Sequence, residues 1–117
     1  MTGKICHVEI AVADMSAARA FYGDLFGWTW IAPGDEYTVF AAGDGVGGGL
    51  CLAKDRCGEG PVVLYIAVDD IPAMLDRIER AAGKTLQPKT AIGKEEWGFM
   101  AFFLDPFGNR MGLWAAK

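Results

Sequence analysis

Laid over itself at an offset of 56 residues, the chain repeats. Ile10-Ala11-Val12 and Asp14 fall on Ile66-Ala67-Val68 and Asp70, Ala17 on Ala73, Gly27 on Gly83, and Thr29 on Thr85. A second register, at 63, sets Phe40 on Phe103, Gly45 on Gly108 and Gly49-Leu50 on Gly112-Leu113. The step from 56 to 63 adds seven residues to the second copy, and Lys89–Glu96, which lacks an apolar period, is the stretch expected to hold them. The chain therefore reads as two copies of one unit, residues 1–54 and 61–117, joined by the polar linker 55–60.

Both copies follow the same local grammar. Ile5–Val12 alternates, with Cys6, Val8, Ile10 and Val12 on one side and Ile5, His7, Glu9 and Ala11 on the other. Asp14 stands where a helix cap belongs, Ala17, Ala18, Phe21 and Leu25 recur at helical spacing, and Gly27 supplies the stop. Strands are expected at Trp28–Ile31, Glu36–Ala42 and Gly48–Lys54, with Phe21, Tyr22 and Phe26 in the core. The second copy gives a strand over Val62–Val68, the cap Asp70, a helix over Ile71–Ala82 and a stop at Gly83. Further strands near Thr85–Gln87, Trp97–Leu104 and Arg110–Ala115 complete it, the last two joined by the turn Asp105-Pro106-Phe107-Gly108-Asn109. Each unit is βαβββ, so the fold class is α+β. A four-stranded sheet with one covering helix leaves its other face in need of a partner, which the second copy can provide.

At 117 residues, one domain accommodates both units, and 52% hydrophobic residues against 22% charged excludes a disordered chain. Eleven basic and fifteen acidic side chains leave a net charge of −4 with no basic run, which argues against nucleic acid and anionic membrane surfaces as partners. No apolar stretch approaches the ~20 residues of a membrane helix. The N-terminal residues run straight into a strand pattern, so no leader is expected. Cys6, Cys51 and Cys57 are odd in number and form no CxxC pair, which fits a reducing cytoplasm better than a disulfide framework. Alternation puts Cys6 on the helix side as a buried thiol. The single histidine, His7, narrows the available chemistry further.

Four stretches carry a family resemblance: His7-Val8-Glu9-Ile10, Ala20-Phe21-Tyr22-Gly23-Asp24-Leu25-Phe26-Gly27-Trp28, Val68-Asp69-Asp70-Ile71, and Leu104-Asp105-Pro106-Phe107-Gly108-Asn109-Arg110. With the paired βαβββ units they make the chain resemble the vicinal oxygen chelate superfamily, which includes glyoxalase I, bleomycin-resistance proteins and extradiol dioxygenases. The resemblance covers essentially residues 1–117 as a single domain. It implies two modules that form a cup-shaped, eight-stranded incomplete barrel, and a homodimer. In metal-using relatives, four side chains from the first and last strand of each module, commonly His, Gln or Glu, meet at the floor of the cup. Carried over by the repeat, those positions are His7, Gly49, Val63 and Gly112. Glycine and valine side chains donate nothing to a divalent ion, so no cofactor is expected; if a metal binds, His7 and Glu9 are its candidate ligands.

If His7, Gly49, Val63 and Gly112 face the cup, strand parity adds Ile5, Glu9, Ala11, Cys51, Tyr65, Ala67, Arg110 and Trp114, while Trp97 and Phe99 fall near its mouth. Gly47-Gly48-Gly49 marks either room for a ligand against backbone or a flexible hairpin approach. Thr90–Glu96 is a candidate lid. The expected function is binding of a small, partly planar hydrophobic or aromatic molecule without a catalytic metal. The rival is a lyase, isomerase or dioxygenase that uses His7 and Glu9 as catalytic residues, with a divalent metal or as a metal-free acid–base pair.

Overall fold

The computed structural model describes residues 3–117, so the first two residues of the stretch read for a leader lie outside it. The chain divides into two compact units, the first ending at Cys57 and the second beginning at Gly58. Each holds one helix and one four-stranded sheet, an α+β arrangement of two βαβββ modules.

In the first module the elements are β1 (Val8–Val12), α1 (Met15–Phe26), β2 (Thr29–Ala32), β3 (Tyr37–Ala41) and β4 (Gly48–Leu52), followed by a 3-10 turn over Lys54–Arg56. The sheet order is β1-β4-β3-β2, with β1 parallel to β4 and the other pairs antiparallel. Asp14 caps α1 by accepting from the Ala17 amide at 2.9 Å, and Gly27 ends it at φ 71. Ile10, Val12, Phe40 and Leu50 are buried together with Ala18, Phe21, Tyr22 and Leu25 of α1. Each of the larger aliphatic and aromatic side chains among them contributes roughly 1.5–3 kcal/mol by leaving water. Trp28 is sandwiched between Tyr22 and Phe40, with ring centroids 4.7 and 4.2 Å away. Thr38, fully buried, exchanges hydrogen bonds with the Gly34 backbone and accepts from Arg19, which pins the β2–β3 turn.

In the second module they are β5 (Tyr65–Ala67), α2 (Ile71–Arg80), β6 (Lys84–Ala91), a 3-10 turn over Glu95–Trp97, β7 (Phe99–Leu104) and β8 (Arg110–Ala115). The order β5-β8-β7-β6 repeats that of the first sheet. Asp70 caps α2 through the Ala73 amide at 3.0 Å. Ile71, Leu75 and Ile78 are buried together with Ala101, Phe103, Met111, Leu113 and Ala115. In the β7–β8 turn, buried Asp105 accepts from the Phe107 and Asn109 amides and from the Asn109 side chain, each at 2.9 Å.

Four expectations need correction. The first strands start late, because β4 begins at Gly48 opposite Val8 and leaves residues 5–7 without a ladder partner. Ile5, Cys6 and His7 are therefore exposed, and Cys6 is not a buried thiol. Val62, Val63 and Leu64 likewise precede β5. Second, α2 stops at Arg80, and it is Ala82, at φ 75, that takes the left-handed conformation. Gly83 serves close approach instead: its amide bonds the Ile78 carbonyl, and a Cβ there would meet Ile78 Cγ2 at 2.5 Å. Third, β6 spans eight residues against four in β2, so much of the inserted length extends a strand. Pro88 is tolerated because β6 is an edge strand whose register shifts between Gln87 and Thr90. Fourth, the candidate lid is part strand and part tight connection, closed by the Ile92 amide on the Gly98 carbonyl at 3.1 Å. Among the described residues, no helix is long and apolar enough to cross a membrane.

Candidate functional site

Register decides what each sheet presents on the face opposite its buried one. In the first module Glu9 pairs with Gly49 and Ala11 with Cys51, while Tyr37 of β3 stands opposite Cys51 and Val39 opposite Gly49. These residues share the face that Ile10, Val12, Phe40 and Leu50 avoid.

Tyr37 organises this face. Its hydroxyl lies 2.8 Å from His7 Nε2 and also bonds the Glu9 carboxylate. From beyond β4, Arg56 Nη2 reaches Glu9 Oε1 at 3.1 Å and Cys51 Sγ at 3.4 Å. Arg56 holds the Glu9 carboxyl below its ordinary pKa, with the Tyr37 hydrogen bond lowering it further. Partial desolvation raises the Tyr37 pKa, and the Glu9 charge adds to the effect. An ionised carboxylate only accepts, so Tyr37 gives its single proton to Glu9, and His7 must donate from Nε2. The result is a directed chain from His7 through Tyr37 to Glu9. The expected His7/Glu9 pair is thus joined through a phenol rather than in direct contact.

The glycines do not form an open wall. A Cβ on Gly49 would stand 2.0 Å from Tyr37 Oη, and one on Gly48 would stand 1.9 Å from the Val8 carbonyl oxygen. In the second module Tyr65 does the same to Gly112, whose Cβ would come within 2.6 Å of the ring. Ring and backbone fill the space that room for a ligand would need at Gly48 and Gly49.

The second module's corresponding face carries Tyr65 and Ala67 from β5, Arg110, Gly112 and Trp114 from β8, and Met100 and Phe102 from β7. Tyr65 and Phe102 lie 5.9 Å apart, and the Arg110 guanidinium sits 5.4 Å from the Phe102 ring centroid. Tyr65 and Trp114 remain 51% and 36% exposed. Trp97, 52% exposed, lies in the 3-10 turn, where its carbonyl accepts from Trp114 Nε1 at 2.9 Å. Phe99 belongs to the opposite face, in phase with Ala101 and Phe103, and Lys89 Nζ sits 4.5 Å over its ring. Parity along β7 moves it off the lining and puts Phe102 there instead. Val63 is half-buried ahead of β5.

Tyr37, Arg56 and Phe102 are the residues sequence reasoning missed. Phe40 fixes the phase of β3 and Phe103 that of β7, so parity carried to the middle strands finds Tyr37 and Phe102. No sequence signal finds Arg56, which lay in the expected linker.

The donor set does not fit the divalent metal of metal-using relatives. Among the described residues no group of three or more His, Cys, Asp or Glu side chains could hold an ion. Glu9 is already paired with a guanidinium, and both last-strand positions lack a side chain.

Comparison with known proteins agrees with this architecture. A relative in Mycobacterium tuberculosis named "Putative glyoxylase CFP32" is 32% identical over 94% of this chain, which spans only 44% of that protein's length. A "Glyoxylase-like domain-containing protein" of Didymella fabae is 30% identical over 92% of the chain and 89% of its own length. "Anthracycline biosynthesis protein DnrV" of Streptomyces peucetius is 30% identical over 91% of the chain and 44% of its own. Among solved structures, the fosfomycin resistance protein FosX of Listeria monocytogenes superposes with a TM-score of 0.80 at 16% identity, over 100% of this chain and 96% of that one. A glyoxalase-related enzyme from Fulvimarina pelagi gives 0.79 at 19% identity, over 97% and 88%. The family profile described as Glyoxalase/Bleomycin resistance protein/Dioxygenase superfamily matches residues 4–113. With the paired βαβββ modules and a match of that extent, the chain belongs to this superfamily.

Proposed function

We propose that this protein binds a small, partly planar aromatic or hydrophobic molecule, without a catalytic metal, on the aromatic sheet face of its second module. The observation that carries this reading is the set of rings Tyr65, Phe102 and Trp114 on the face turned away from the buried core, with Tyr65 about half and Trp114 about one-third exposed. Exposed rings grouped on one face are the feature a flat ligand exploits. The Streptomyces relative named for anthracycline biosynthesis is consistent with a fused-ring ligand. The same reading takes the protein as a cytoplasmic homodimer.

Calorimetric titration with 2-naphthamide, a neutral flat probe, tests it. Saturable binding is expected, weakened about fivefold by Trp114→Ala, in line with ~1 kcal/mol for one aromatic contact. The absence of saturable binding by flat compounds, neutral and anionic alike, would remove the reading. A second reading, a lyase, isomerase or dioxygenase acting by acid–base chemistry, draws on the His7–Tyr37–Glu9 chain, whose histidine is exposed. It requires that His7→Ala and Glu9→Gln each abolish turnover of a substrate while leaving the thermal transition in place.

A further inference from the structure

We infer that the flat ligand carries a negatively charged planar group, a carboxylate or its equivalent, and that Arg110 receives it. This rests on the binding reading above and adds the ligand's charge.

Two guanidinium groups reach these sheet faces, and their circumstances differ. Arg56 in the first module is neutralised by Glu9 at 3.1 Å. Arg110 in the second is half-buried, and no carboxylate among the described residues pairs with it. Its Nη2 donates to the Gly60 carbonyl at 3.3 Å, and its Nε is buried without any hydrogen-bond partner. A partly desolvated cation with no anionic partner is unfavourable until an anion approaches it, which here means at the Nη atoms, since Nε is enclosed. The guanidinium is also held in place by the Phe102 ring and by Gly60, so little side-chain entropy remains to be lost on binding. A guanidinium fork matches the geometry of a carboxylate, and here it stands on the same strand face as Trp114 and beside the Tyr65–Phe102 pair. A ligand ring laid along the aromatic side chains would carry its anionic substituent to the open edge of Arg110.

The test compares 2-naphthoate with 2-naphthamide, which share one ring system and differ in charge. Unmodified protein should bind the anion at least tenfold more tightly, and the preference should shrink as sodium chloride is raised. Arg110→Gln should bring the two affinities together by weakening naphthoate alone, whereas Arg110→Lys should keep part of the preference. Circular dichroism melting of both variants checks the fold. The comparison in unmodified protein needs no variant, so a poorly folded Arg110→Gln leaves the inference open to refutation. Equal affinities in unmodified protein, or a preference that survives Arg110→Gln, overturn it. Naphthamide binding without a charge preference overturns this inference and leaves the binding reading standing; no binding of either compound overturns both.

Discussion

Gly49 lies so close beneath Tyr37 that one methyl group and the phenol cannot share the space. Gly49→Ala should therefore destabilise the first module by about 1–3 kcal/mol, as overpacking does. Removing the ring as well, in Tyr37→Ala/Gly49→Ala, should cost less than the two single changes added together, measured by chemical denaturation. Additive losses would mean that the ring does not lie on the glycine. The ion pair beside it makes a separate prediction. Since Arg56 holds the Glu9 carboxyl below its ordinary pKa, what the pair contributes is present above the unfolded pKa and is lost as pH falls through the depressed folded value. Arg56→Gln should move the Glu9 titration upward, read by carbon-13 NMR of the side-chain carboxyl, and an unmoved titration would refute the pairing. The family resemblance, carried between the copies by the repeat, singles out His7, Gly49 and Gly112, and strand parity adds Glu9 and Tyr65. That Tyr37 and Tyr65 cover the glycines was not legible, because Tyr37 comes from a middle strand and Tyr65 from a first strand, at positions the repeat does not equate. Each module solves the same packing problem from a different direction.

The elements most legible in sequence are those whose ends are fixed by local chemistry. Asp14 and Asp70 cap α1 and α2 because their carboxylates satisfy amides three residues on, a need set by helix geometry alone. The end of α2 misled for a related reason. Glycine is the usual left-handed residue, and here one stands next to the position that adopts it. Ala82 takes φ 75 while Gly83 yields its side-chain volume to Ile78. Ala82→Gly should relieve that backbone strain and stabilise the second module by up to about 1 kcal/mol, visible as a raised melting temperature. A lowered one would show that the alanine methyl has packing worth more than the strain. The edge strand β6 was the least legible element. Only Thr85–Gln87 of it is expected from sequence, because the tolerance of an edge strand for Pro88 and the polar residues after it depends on which strand lies next to it, and that is a tertiary fact.

For the whole molecule, duplication was the decisive signal, since it gave both modules the same βαβββ succession of elements that the structure shows. It was silent about function, because the two faces it equates have diverged: one carries a charged chain of His7, Tyr37, Glu9 and Arg56, the other rings and an unneutralised Arg110. The homodimer proposed above is what the family resemblance implies. Light scattering should give about twice the 12.6 kDa of the chain, and the mass of a single chain at micromolar concentration would rule that assembly out.

The tyrosine resting on each last-strand glycine also acts as an evolutionary latch. A lineage built this way gains an acidic group at position 49 or 112 only by displacing a phenol ring, at a cost in packing and with no immediate return. Whoever engineers such a group into this scaffold does best to shrink the ring in the same step.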